Sequence, residues 1–132
     1  MSRRELSLFA VLGFGVWVSG AVMFRLGGRL LFESGTFALA LSGVAIAVTV
    51  CLLLNGVMGW RKAPASQALV VAVVMALPGL FGDVAYVLVF SIVTGLPAAA
   101  AGPYAAIVIF GNAALLAFAL YRAWPSLTAA PS

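Results

Sequence analysis

The sequence predicts an all-α fold, a polytopic transmembrane four-helix bundle, on three observations. Hydrophobic residues make up 65% of the chain and charged residues 8%, with no histidine and a mean hydropathy of +1.23, well outside the range of soluble domains. Four apolar runs, at approximately 6–31, 36–60, 67–96 and 104–122, are each long enough to cross a hydrocarbon core of roughly 30 Å at about 1.5 Å per residue. The segments between them are short and carry glycine, proline or charge. At 132 residues the whole chain, 1–132, reads as a single integral membrane domain without a separate soluble module.

The first run follows a charged start, 1–5, and lacks a small-residue cleavage site before its next charged segment, so it reads as a retained span and not a signal peptide. Gly15 and Ser19 form a small-xxx-small pair suited to close packing against a partner. At its far end Arg25, Arg29 and Glu33 recur at four-residue spacing and share one helical stripe if the helix persists through Gly27 and Gly28. The second run carries Gly43, Ala47, Cys51, Asn55 and Gly59, again four apart. That spacing predicts a helix-packing seam with one interhelical hydrogen bond from Asn55. Trp60 marks the membrane interface and the charged 61–64 turn sends the chain back.

The third run is the one the rest is organised around, because it carries a lone carboxylate, Asp83, in an almost unbroken apolar stretch. Pro78 cannot donate to the carbonyl of Val74, which predicts a kink there. Steps of three or four residues put Met75, Gly79, Gly82 with Asp83, Tyr86 and Phe90 on one face. At the bilayer centre a lipid-facing Asp costs roughly 2.5–3.5 kcal/mol on insertion scales, so Asp83 should point into the protein. Counting from the span edges, Arg25 lies about 28 Å along its helix and Asp83 about 24 Å along its own, which predicts an intramembrane charge pair of Asp83 with Arg25 or Arg29. Gly43, Ala47 and Gly79 are expected to join the second and third helices as an antiparallel hairpin. The fourth run holds Asn112, a possible polar partner, near its middle and ends at Arg122, Trp124 and Pro125; the tail over 126–132 reads as disordered.

The stretch Arg25, Leu26, Gly27, Gly28 to Phe32, together with Ala76, Leu77, Pro78, Gly79 and Asp83, resembles a family of small bacterial four-span proteins classed as a domain of unknown function. The resemblance implies the four-span architecture and an interest in Asp83. It implies no reaction.

Composition excludes several function classes. One cysteine, Cys51, leaves no intrachain disulfide, and without histidine or a cysteine pair no ordinary zinc, haem or iron–sulfur ligand set exists. No cofactor and no metal are therefore expected. Seven Lys and Arg against three acids read through membrane topology and not as a nucleic-acid surface. Arg3, Arg4, Arg61, Lys62 and Arg122 fall on one side, Arg25 and Arg29 on the other, which puts both termini in the cytoplasm of a bacterium whose inner membrane the protein spans. A lone Asp without a nucleophile or base partner argues against an enzyme. The expected partners are the lipid bilayer and either further copies in a homo-oligomer or other membrane protein subunits. Two functions compete. One is a packing or accessory component of such an assembly. The other is a small proton-linked transporter or carrier using Asp83 with Arg25 or Arg29. Phe81, Tyr86, Phe90, Phe110 and Phe118 are candidates to line an apolar pigment or lipid pocket.

Overall fold

A computed structural model describes residues 1–129. All regular structure among them is helical: α1 (Arg3–Glu33), α2 (Thr36–Trp60), α3 (Ala68–Leu88), the short α4 (Phe90–Thr94) and α5 (Ala101–Thr128), with single 3₁₀ turns at Ala65–Gln67 and Ala98–Ala100. Four helical segments are long and apolar enough to cross a membrane, so the chain is a small membrane protein of the four-helix class.

The boundaries have local causes. A capping box starts α1: Glu5 N–H donates to Ser2 Oγ at 3.2 Å while Ser2 N–H donates to Glu5 Oε2 at 2.8 Å. Gly35, at φ +94°, supplies the left-handed residue that turns α1 into α2. Pro78 does not end α3; the helix runs through it and is interrupted at Val89 instead, so the third run is not one helix over 67–96. Beyond Val89, Thr94 ends the chain's run in this direction. Its Oγ1 donates to the Phe90 carbonyl at 2.7 Å and accepts from Leu96 N–H at 3.1 Å, and Gly95 follows at φ +71°. The last helix is longer than 104–122 at both ends. Ser126 to Thr128 continue it, with Thr128 Oγ1 bonded to the Trp124 carbonyl at 3.0 Å, contrary to the expectation of a disordered tail; the rest of that expectation, over 130–132, lies outside the described residues.

Around the bundle the order is α1, α3, α5, α2. The pairs α1·α3, α2·α5 and α3·α5 pack extensively, whereas α1 touches α2 only lightly. Equally light contact between α2 and α3 overturns the expected hairpin seam. The cause is where the small residues find room. A Cβ on Gly43 would sit 3.8 Å from Ile107 and 3.9 Å from Phe110, both on α5, and Gly111 of α5 lies against Ile46. Ala47 is buried in the same seam, and Cys51 Sγ reaches the Ala114 carbonyl at 3.7 Å. Gly79 turns the other way, onto α1.

Two cores result. At the end bearing the 61–64 turn, Phe9, Leu54, Met58, Ala68, Val71, Ala72 and Ala119 are almost wholly enclosed. Toward the opposite end an aromatic cluster gathers Tyr86, Phe90, Leu96 and Tyr104, with Trp17, Phe24 and Phe32 packed against it. Gly15, by contrast, meets nothing within 4 Å, and Ser19 Oγ returns to the Gly15 carbonyl. Among the described residues that pair meets no other helix.

Candidate functional site

Between the two cores lies a cavity of about 220 Å³, walled by all four long helices. Its one carboxylate is Asp83. Trp17 Nε1 donates to Asp83 Oδ1 at 2.8 Å, and the Tyr104 hydroxyl donates to the same oxygen at 2.7 Å. Oδ2 accepts no bond from the described residues. Trp17 lies near the middle of the Arg3–Glu33 helix, so the part-buried carboxylate sits near mid-height of the bundle.

The backbone places each partner. Gly13 has no room for a side chain, since a Cβ there would fall 1.9 Å from the Met75 carbonyl oxygen; α1 and α3 therefore touch backbone to backbone at that level. One and two turns further, Gly79 and Gly82 leave the groove that the Trp17 ring fills, and a Cβ on Gly82 would come within 2.6 Å of the indole. This contact aims the indole N–H at Asp83. Tyr104 enters from the start of α5 and is held by rings on three sides: Phe24 at 4.9 Å edge-on, Tyr86 at 5.1 Å and Phe90 at 5.4 Å between centroids. Tyr86 in turn donates its hydroxyl to the Ala21 carbonyl at 3.2 Å. These aromatic amphiphiles supply donors while burying apolar area.

The predicted pair of Asp83 with Arg25 or Arg29 does not form. Arg25 Nη1 donates to the Thr94 carbonyl at 2.8 Å, satisfying an acceptor left open at the end of α4. Arg29 bonds Glu33 at 3.0 Å, both side chains well exposed. The reason is register. Gly13 on Met75 and Trp17 on Gly79 and Gly82 bring Asp83 level with Trp17, and Arg25 lies eight residues, about 12 Å, further along α1. Counting each helix from its own edge concealed that offset.

The other expected residues divide. Asn112 lines the cavity but gives its amide N–H to its own Val108 carbonyl at 2.9 Å. Asn55 makes an interhelical bond, accepting from Arg122 Nη1 of α5, at the bundle's end and away from the cavity. Phe81 and Phe110 face outward, at 75% and 50% exposure, and Phe118 packs on the far core; only Tyr86 and Phe90 of the proposed aromatic pocket are buried near Asp83.

Sequence reasoning missed Trp17 and Tyr104. A tryptophan in mid-span, where the indole N–H needs a partner and the membrane interface is far, was the available signal. Tyr104 stands among alanines next to Pro103 and read as a span boundary.

Chemically, the arrangement holds one carboxylate oxygen by two neutral donors, and among the described residues no basic side chain pairs with the carboxylate, which borders a mostly apolar cavity. On the α2 side the cavity wall is Ile46, Val50 and Leu53. Among the described residues, no group of three or more His, Cys, Asp or Glu is placed to hold a metal ion.

A model of a family described as a family of unknown function (DUF5367) matches residues 30–126. The match takes in Asp83, Gly79, Gly82 and Tyr104, while Trp17 and Arg25 to Gly28 precede it. No curated protein and no solved structure is detectably similar to the chain.

Proposed function

The chain belongs to the family of unknown function DUF5367, a membership that carries no activity, and from its own geometry we propose that this small membrane protein is a non-enzymatic, proton-linked carrier working through Asp83. One observation carries the reading: a part-buried, mid-span carboxylate, held on one oxygen by Trp17 and Tyr104, borders a cavity in which no counter-charge stands among the described residues. An ionisable group so placed is expensive in a bilayer, and where no ion pair explains it a proton or substrate path does. Around Asp83 the ionisable groups are Tyr104 from α5, Tyr86 on its own helix and, further along α1, Arg25, which is engaged by Thr94; α2 faces the cavity with apolar side chains. The test is the carboxyl stretching band of Asp83 by difference infrared spectroscopy in lipid. A pH-dependent band that vanishes in Asp83→Asn is expected; a spectrum indifferent to pH would leave Asp83 a structural residue.

The orientation in this reading puts both termini in the cytoplasm of a bacterial inner membrane. It is supported by the gathering of Arg61 beside Glu5, at 3.7 Å, and of Arg122 beside Asn55 at one end of the bundle.

A second reading, a packing or accessory role in a homo-oligomer or with other membrane subunits, draws on the outward glycines of α1, since Gly15 and Gly27 are exposed and meet nothing within 4 Å. Crosslinking in native membranes decides it: a discrete multimer that Gly15→Leu disperses supports that role, and a monomer removes it.

A further inference from the structure

We propose that the cavity takes a compact, mostly apolar organic monocation, an alkyl- or arylammonium, which enters sideways from the bilayer between α1 and α2 and pairs with the Asp83 carboxylate, where it competes with a proton from the aqueous medium. The inference rests on the proton-linked reading above and adds the ligand class.

Charge comes first. Asp83 is the one charged side chain of the lining, and among the described residues nothing basic reaches it. A carboxylate in a mostly apolar setting repels an anion, and a neutral guest gains nothing from its charge; a cation completes a pair. Geometry agrees, because both internal donors converge on Oδ1 and among the described residues none bonds Oδ2. The rings of Trp17, Tyr104 and Phe24 all border the cavity, a setting in which an organic cation gains cation–π attraction and a strongly hydrated inorganic ion loses its water for little return. A divalent metal ion would need several further oxygens, and the wall offers mainly hydrocarbon.

Size and access narrow the class. At about 220 Å³ the cavity is smaller than the roughly 300–1,000 Å³ of drug-sized sites, so the guest is compact. The light contact between α1 and α2 makes their seam the weak side of the ring. Met23 of α1 and Leu53 of α2 both line the cavity and are also exposed, at 72% and 39%, so the seam communicates with the surface that lipid covers. A guest that partitions into lipid fits that route.

The experiment uses the full chain in lipid nanodiscs with Trp60→Phe and Trp124→Phe, which leaves Trp17 as the sole indole. Benzyltrimethylammonium is the probe, neopentylbenzene its uncharged carbon analogue, benzenesulfonate the anion and sodium chloride the inorganic cation. Saturable quenching of Trp17 by the ammonium is expected, weakened by acid in the unsubstituted site and weakened about tenfold or more by Asp83→Asn. Asn keeps an Oδ1 able to accept from both Trp17 and Tyr104, so the variant changes charge and not the bonding scheme. The acid dependence needs no site variant and stands even if Asp83→Asn fails to fold. Equal affinity for the ammonium and neopentylbenzene, or for the parent and Asp83→Asn, overturns the cation assignment, as does a response to sodium or benzenesulfonate in place of the ammonium. If the ammonium fails while the Asp83 carboxyl band still titrates, the ligand class is wrong and the proton-linked reading stands. If that band is also silent, both fall.

Discussion

At the scale of single residues, the site depends on two neutral donors sharing one acceptor. Hydrogen bonds to a charged group contribute about 1.5–3 kcal/mol each, so Trp17→Phe and Tyr104→Phe should each destabilise the bundle by about that amount in detergent unfolding. Because both bonds end on Asp83 Oδ1, their effects should couple in a double-mutant cycle; strict additivity would mean that the two donors act independently. Gly82→Ala drives a Cβ into the indole and should cost about 1–3 kcal/mol by overpacking, with a shift in Trp17 emission, whereas Gly15→Ala, which meets nothing, should stay within about 0.5 kcal/mol of the parent. How much of this could be read from sequence is uneven for a physical reason. A carboxylate stands out in any apolar run because its cost in a bilayer is so high, so Asp83 and its face, with Met75, Gly79, Gly82 and Tyr86, were legible. Trp17 and Tyr104 count as apolar in every hydropathy average, and their polar atoms show only when the partner is in place.

Among the elements, register is the quantity that decides. Gly13 against Met75 fixes how far α1 slides along α3, and that offset put Trp17, not Arg25, beside Asp83. Gly13→Ala must push two backbones apart, and should destabilise more than Gly43→Leu, where the intruding side chain meets the movable side chains of Ile107 and Phe110 and costs about 1–3 kcal/mol. Thermal unfolding of the two variants in one detergent checks the ranking. Arg25→Met should loosen the end of α4 by freeing the Thr94 carbonyl, and combined with Asp83→Asn its effect should add within about 0.5 kcal/mol, as for sites without shared partners. A coupling well above that would restore the charge pair. Helix existence was legible because twenty-residue apolar runs have few alternatives in a bilayer. Neighbour choice was not: a short turn such as 61–64 permits α2 and α3 to pack together without requiring it, and four-residue spacing of Gly43 and Ala47 marks a seam without saying which helix fills it.

For the whole molecule, the basic residues at the end holding both described termini predict that a reporter fused in the 97–103 segment is read outside the cytoplasm and reporters at the termini inside. The ring order has a mechanical meaning of its own. Helices α1 and α3, locked by glycines, form one cover of a book; α2 and α5, locked at Gly43 and Gly111, form the other; the α3·α5 contact is the spine and the α1·α2 seam the fore-edge. Spreading the fore-edge leaves the Trp17–Asp83 bond untouched, since both residues belong to one cover, but it stretches Tyr104–Asp83, which crosses the spine. The phenol is thereby the gauge of how far the covers stand apart, and a fluorotyrosine at 104 would read that angle directly while the indole signal of Trp17 stays still.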